Sequence, residues 1–280
     1  MAPAIGICDS GSGGLTVLGA CGRALPGQAF VYLGDHAKAP YGGRPEAEIL
    51  ELSIHLVEQL FEKGIRLVLL ACNTSSAIAL RRIQEQWLPK NYPGRRVLGV
   101  LVPIVEALTG LDWDRDNPGL STYPNKNVAV FATQRTVDSG AYAHQVRLRA
   151  PGFQVVQQPC PGLVSAIEED RGEAILSDLV QEFCQKLKKQ MAGKKLDAVL
   201  LGCTHYPLVE KFFSEALPSG VEILSQPEIV AKSLKNYLQR HPEFADDSNG
   251  TLEFFTTGDP ARLAHLEQFM PGQALDFKPL

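Results

Sequence analysis

Two segments far apart in the chain end alike. Residues 66–77 run Arg-Leu-Val-Leu-Leu-Ala-Cys-Asn-Thr-Ser-Ser-Ala, and residues 197–208 run Asp-Ala-Val-Leu-Leu-Gly-Cys-Thr-His-Tyr-Pro-Leu. Each is an apolar run, a small residue, a cysteine, then hydroxyl and amide side chains of the kind that cap a following helix. A short apolar run bounded in this way reads as a buried strand. It sets Cys72 and Cys203 at carboxyl ends of strands, where open α/β sheets place ligands. Two thiols facing one pocket from opposite sides can take a proton from one face of a carbon and return one to the other. A free thiol has a pKa of about 8.5, and a helix N-terminus lowers it. The competing reading of each cysteine is a small core residue.

Three further motifs carry polar groups near strand ends. Asp9-Ser10-Gly11-Ser12-Gly13-Gly14 follows a strand and opens a helix. Its glycines permit a tight turn and leave N–H groups at a helix N-terminus, which suits an anion. It is neither a dinucleotide fingerprint nor a P-loop, and a plain turn capped by Asp9 is the alternative. Pro40-Tyr41-Gly42-Gly43 reads as a turn, and Thr133 and Thr136 sit three apart after a strand, spaced to cap a helix.

The elements that must position these residues alternate along the chain. Strands are expected at 4–8, 29–33, 66–71, 97–101, 127–132, 153–157, 197–202, 221–225 and 252–256, with helices at 45–63, 75–88, 136–149, 173–192, 227–240 and 259–269. The clearest helix carries Ile49, Leu52, Leu56, Val57 and Leu60 on one stripe and stops at Gly64. Pro103 and Pro227 fit first turns of helices. The alternation predicts an α/β fold with mostly parallel sheets. The likeness of the two cysteine segments predicts two related halves facing each other. A seam is expected near Pro103, with surface loops at 111–126 and 243–250.

Composition narrows the function. The chain has 280 residues, 45% of them apolar and 21% charged, with a formal net charge of −4. The length suggests roughly two domains, and the negative balance argues against a nucleic-acid partner. No apolar run reaches the ~18 residues a membrane span needs. The start of the chain has no basic segment before Asp9 and does not read as a secretory signal, so a cytoplasmic protein is expected. The six cysteines are then expected as thiols, and no C-x-x-C pair supports a metal site.

Together, Asp9-Ser10-Gly-x-Gly-Gly, Pro40-Tyr41-Gly42, Cys72-Asn73-Thr74, Thr133-x-x-Thr136 and Gly202-Cys203-Thr204-His205-Tyr206-Pro207 resemble the glutamate racemase family of the cofactor-independent aspartate/glutamate racemase superfamily. The likeness runs from about residue 5 to Asp259. It implies interconversion of L- and D-glutamate without a cofactor, supplying D-glutamate for peptidoglycan. It implies two pseudo-symmetric three-layer α/β domains, one from 1–102 plus 210–280 and the other from 103–209, with the site between them. It places the catalytic cysteines at Cys72, acting on D-glutamate, and Cys203, acting on L-glutamate. Asp9 is implied beside Cys72 and His205 beside Cys203, with a second-domain acid at Glu168 or its neighbour Glu169. Ser10, Tyr41, Gly42, Asn73, Thr74, Thr136 and Thr204 match the family's substrate contacts. A small-molecule substrate is the implied partner, and a homodimer is left open. The chain departs from the family at His36, in the small residues of 160–166, at Ser225-Gln226-Pro227 and in the 111–126 loop. A sister racemase for another amino acid, a cysteine hydrolase using Cys203 and His205, and a non-catalytic binder are the rival readings.

Overall fold

The computed structural model describes residues 4–111, 125–246, 250–263 and 266–280. In chain order the strands are β1 (Ile5–Asp9), β2 (Phe30–Gly34), β3 (Leu67–Leu70), β4 (Arg96–Gly99), β5 (Asn127–Ala132), β6 (Gln154–Pro159), β7 (Ala198–Gly202), β8 (Glu222–Leu224), β9 (Leu252–Thr256) and β10 (Phe277–Pro279). The α-helices are α1 (Gly14–Ala24), α2 (Glu46–Glu62), α3 (Asn73–Ile78), α4 (Leu80–Arg82), α5 (Leu88–Asn91), α6 (Leu101–Thr109), α7 (Gln134–Asp138), α8 (Ala141–Arg149), α9 (Leu163–Glu168), α10 (Glu173–Met191), α11 (Glu210–Ala216) and α12 (Gln226–Arg240).

The strands form two sheets, β10-β9-β2-β1-β3-β4 and β6-β5-β7-β8, in which every described pairing is parallel. The fold class is the expected α/β. Strands β1, β2, β3 and β7 are buried throughout, as near-continuous apolar runs must be when helices cover both faces of a parallel sheet. Ile49, Leu56, Val57 and Leu60 of α2 turn inward, and Gly64, at φ +88°, ends the helical path. One core cluster joins the sheets: Ile7, Leu15 and Leu69 share it with Phe131, Val199 and Leu201.

Several expectations need correction, and the expected helix at 136–149 is two helices broken at Gly140, at φ +64°. The expected return to the first unit at residue 210 assigns 222–224 to the six-stranded sheet. Instead β8 pairs with β7 and covers an edge that would otherwise lie open, and Leu224 packs with Leu101, Val130 and Leu200. The chain crosses back only with α12, which packs along α1. The expected helix at 75–88 starts at Asn73 and opens into a π-turn at Ile83–Trp87. Pro89, in the first turn of α5, has no N–H for the carbonyl four residues before it, so the helix widens there. The expected helix at 259–269 is two 3-10 turns, Pro260–Arg262 and Leu266–Phe269. Strand β10 was not anticipated. Of the loops, 112–124 and 247–249 lie outside the described residues.

Candidate active site

Cys72 follows β3 and caps α3, its Sγ accepting from the backbone N–H of Ser75 at 3.5 Å. Its thiol also lies 3.5 Å from the hydroxyl of Ser10. Cys203 follows β7 directly, the position in the second sheet that Cys72 holds in the first. Each residue is only 5% exposed. Burial and the neighbouring Asp9 carboxylate push the Cys72 thiol up to about 11, although the Ser10 and Ser75 hydrogen bonds pull the other way.

The environment of Cys203 carries the opposite charge. Its Sγ lies 3.8 Å from His205 Nδ1, and His205 Nε2 lies 2.7 Å from Glu168 Oε1. Burial alone would strip the proton from His205. Its hydrogen bonds to Cys203 and Glu168 outweigh that and hold the imidazolium to about 10. Burial likewise opposes ionisation of Glu168, but the hydrogen bond and charge of His205 hold its carboxyl down at about 2. Of the two adjacent acids, Glu168 faces the site, while Glu169 pairs with Arg171 at 2.6 Å on the surface.

The glycine-rich loop is where the two halves meet. A Cβ on Gly13 would lie 2.3 Å from Thr204 Oγ1 and 2.5 Å from His205 Nδ1, so only glycine lets the His205 turn approach this closely. The expected anion at the loop is the protein's own. The Gly11 N–H donates to Asp9 Oδ2 at 3.1 Å and the Ser12 N–H to Glu168 Oε1 at 3.3 Å. Asp9 also accepts from the Thr204 hydroxyl at 3.4 Å, and burial raises its carboxyl above the usual range. His36 joins this seam as well. Its Nε2 lies 3.3 Å from Ser12 Oγ and its Nδ1 2.9 Å from Thr256 Oγ1, while burial lowers its pKa.

A triangle of hydroxyls bridges the halves on the other side. Thr74 Oγ1 lies 3.0 Å from Thr133 Oγ1 and 3.1 Å from Thr136 Oγ1, and the last two are 3.0 Å apart. Thr133 caps α7 by accepting from the Thr136 N–H. Tyr41 packs with Ile49 and Cys72, and its hydroxyl donates to Asp35 Oδ2 at 2.5 Å. Gly42 accepts from the Arg135 N–H, and a Cβ there would meet Thr133 at 2.8 Å. The Asn73 side chain is turned away into a buried pair with Gln226. The sequence reading thus brought most of the cluster together but gave Ser12 no role and saw His36 and Gln226 only as departures. Their signal was faint: Ser12 lies inside the glycine motif, and the other two stand out only where the chain departs from the family. Among the described residues, no cluster of three His, Cys, Asp or Glu side chains is arranged for a metal, and no helix is long and apolar enough to cross a membrane.

A parallel α/β fold with two thiols at matching strand ends, joined through a glycine-rich seam, defines a class. The family model for Asp/Glu/Hydantoin racemase matches residues 16–234, and the chain belongs to that family. A curated glutamate racemase of Jannaschia sp. (strain CCS1) is 49% identical over 258 residues, 92% of each chain. The crystal structure of a glutamate racemase from Bacillus anthracis superimposes with a TM-score of 0.85 at 28% identity, covering 99% of this chain and 97% of that one. The glutamate racemase of Francisella tularensis subsp. tularensis SCHU S4, solved in complex with D-glutamate, also gives 0.85, at 27% identity and 100% and 97% coverage.

Proposed function

We propose that this chain is a glutamate racemase. It is a cofactor-independent isomerase that interconverts L- and D-glutamate by moving protons at Cα between Cys203 and Cys72, and it supplies D-glutamate for peptidoglycan. One observation carries the mechanism: two buried thiols stand at equivalent strand ends of two sheets, and both of their loops touch the 9–14 segment.

The Cα–H bond lies beside a carboxylate, a poor electron sink, so positioning and electrostatics supply the catalysis. The environments differ in the sense that racemisation needs. Cys72 rests as a thiol under burial and the Asp9 charge. Cys203 stands instead beside the His205 imidazolium, which Glu168 steadies. The α-proton of L-glutamate passes to Cys203 Sγ. The carbanion then takes the proton of Cys72 on the opposite face, leaving Cys203 as thiol and Cys72 as thiolate. D-glutamate runs the same steps backwards. After release, Cys72 regains a proton through Asp9, which burial lets hold one, and Cys203 loses its proton past the His205–Glu168 pair. The Thr74–Thr133–Thr136 hydroxyls and the helix N-termini beside them form the cradle for a substrate carboxylate, with Ser10, Tyr41, Gly42 and Thr204 lining the rest. Asn73 contributes its backbone. We place the enzyme in the cytoplasm, acting on free glutamate without nucleic acid or membrane; analytical ultracentrifugation reads whether it pairs as a homodimer.

The test is incubation with L-glutamate in D2O. The enzyme yields D-glutamate carrying deuterium at Cα, and Cys72→Ser and Cys203→Ser each abolish inversion. Turnover of aspartate alone, or release of a hydrolysis product with no deuterium at Cα, defeats the assignment.

A further inference from the structure

Racemisation by two bases makes a demand that neither base meets alone: both sulfurs must bracket one carbon at a fixed spacing. The glycine-rich segment links the two cysteine loops indirectly, Ser10 touching Cys72 and Asp9 touching Thr204. A second connection runs directly from one cysteine loop to the other, through Tyr142 and Gln226, which have no assigned role.

Tyr142, near the start of α8, is fully buried. Its ring lies close to the backbone just before Cys203: a Cβ on Gly202 would sit 3.1 Å from Tyr142 Cε2. At the other end its hydroxyl donates to Asn73 Oδ1 at 2.5 Å, one residue after Cys72. The ring and hydroxyl therefore span from Gly202-Cys203 to Cys72-Asn73. Burial and the charge of Cys203 raise the phenol's pKa, so the hydroxyl stays a donor. Asn73 cannot swing away. Its Nδ2 donates to Gln226 Oε1 at 2.6 Å, and Gln226 Nε2 donates back to Asn73 Oδ1 at 2.7 Å. Gln226 Nε2 also lies 3.1 Å from the Tyr142 oxygen. Gln226 is itself fully buried at the first turn of α12, the helix packed along α1. The three side chains close a hydrogen-bonded ring anchored in three separate elements, and such fully satisfied buried networks rigidify what they join.

We propose that Tyr142, clamped by Gln226 through Asn73, is the positioning strut that sets the distance between the two catalytic thiols. The inference rests on the two-thiol reading above and adds a consequence. With the strut loosened, Cys203 still removes the α-proton, but Cys72 is out of place to deliver one. The carbanion is then reprotonated by Cys203 on the face it left. In D2O the Cys203 S–H exchanges to S–D, so this return leaves deuterium in recovered L-glutamate.

The experiment compares wild type, Tyr142→Phe and Gln226→Met on L-glutamate in D2O at early times. Chiral separation and mass spectrometry measure deuterium in recovered L-glutamate against D-glutamate formed. Tyr142→Phe keeps the ring on Gly202 and removes the hydroxyl's ties to Asn73 and Gln226; Gln226→Met keeps side-chain length and carries the test if the first variant does not fold. Inversion kcat should fall about 10- to 100-fold, the scale of a displaced catalytic group. KM should change little, because substrate contacts remain. The ratio of exchange to inversion should rise about tenfold or more, the counterpart of the same displacement. That ratio is independent of how much enzyme is folded, so a purely structural role leaves it unmoved. Variants that are slower but keep the wild-type ratio overturn the strut. A wild type that does not racemise glutamate overturns the two-thiol reading instead.

Discussion

Replacing Glu168 with Gln removes one negative charge and little else. Glu168 Oε1 accepts from His205 Nε2 and from the Ser12 N–H, and an amide oxygen can keep both bonds. Its side chain is 26% exposed, so solvent screens the pair only partly. Folding holds the carboxyl at about 2, against about 4.3 in an unfolded chain, and at about 1.4 kcal/mol per pH unit the gap is worth ~3 kcal/mol. The same ion pair also appears in the rise of His205 to about 10. That rise is larger because Cys203 contributes to it, and the pair must be counted once. A hydrogen bond to a charged group is worth ~1.5–3 kcal/mol and a neutral one ~0.5–1.5 kcal/mol, so the variant keeps part of the bond. Loss of the rest lowers His205 by about one to two pH units, to about 8–9.

The signs give two pH windows. The depressed carboxyl of Glu168 stabilises the fold above its unfolded pKa, and that stability is lost as pH falls towards about 2. The raised imidazole of His205 contributes stability fully present below about 6.5, and this is lost as pH rises through about 10. Urea unfolding should therefore find wild type ~1–3 kcal/mol more stable than Glu168→Gln between about pH 5 and 8, with the gap closing on either side. The pH–rate profile for L- to D-glutamate should lose its alkaline limb one to two units earlier in the variant. A stability gap constant from pH 3 to 10, or an alkaline limb that does not move, refutes an ionised His205–Glu168 pair.

Two further substitutions test the seam, and a third in α1 serves as a control. Gly13→Ala forces a methyl to within 2.3 Å of Thr204 Oγ1 and 2.5 Å of His205 Nδ1. It should cost ~1–3 kcal/mol by thermal melt and about 100-fold in racemisation. Gly22→Ala in α1, where a Cβ meets nothing within 4 Å, should leave activity intact and raise stability by ~0.5–1 kcal/mol. Asp9→Asn presents its oxygen to the Gly11 N–H and its amide to the Thr204 hydroxyl, so the hydrogen bonds survive. Burial raises the Asp9 carboxyl, so its stability contribution is complete below about 3.9 and is lost as pH rises through the folded value. The variant should thus be at least as stable as wild type at pH 7, yet slower in both directions; unchanged turnover removes Asp9 from the mechanism.

The parts of the site legible in the sequence are those set by local backbone geometry. Cys72 and Cys203 could be placed because an apolar run, a small residue and a capping set define a strand end without reference to the rest of the chain. Thr133 was legible as a cap for the same reason. What failed depended on distance or on phase. Glu168 and Glu169 are adjacent at the end of α9, and only its rotation decides which meets His205. The diversion of Asn73 to Gln226 pairs residues 153 positions apart. Tyr142 looks in sequence like one more aromatic in a polar helix. β8 and β10 are three-residue strands, too short for a period, and their sheet follows from which edge lies open.

The repeated strand ends conceal an asymmetry that the chemistry requires. Were the surroundings of the two cysteines identical, both thiols would carry the same protonation state, and the device would hold two bases or two acids. The residues that differ are the nearest charged ones. Asp9, a buried carboxyl, stands on the Cys72 side, and His205, a buried cation anchored by Glu168, stands on the Cys203 side. One thiol is thus kept protonated beside a carboxyl, while the other faces a cation. The asymmetry cannot favour one enantiomer overall, because mirror-image glutamates have equal free energy in water and kcat/KM must match in the two directions. It must appear instead in kcat and KM separately. Removing the charge of Glu168 should therefore shift both parameters for L-glutamate relative to D-glutamate while their ratios stay locked together.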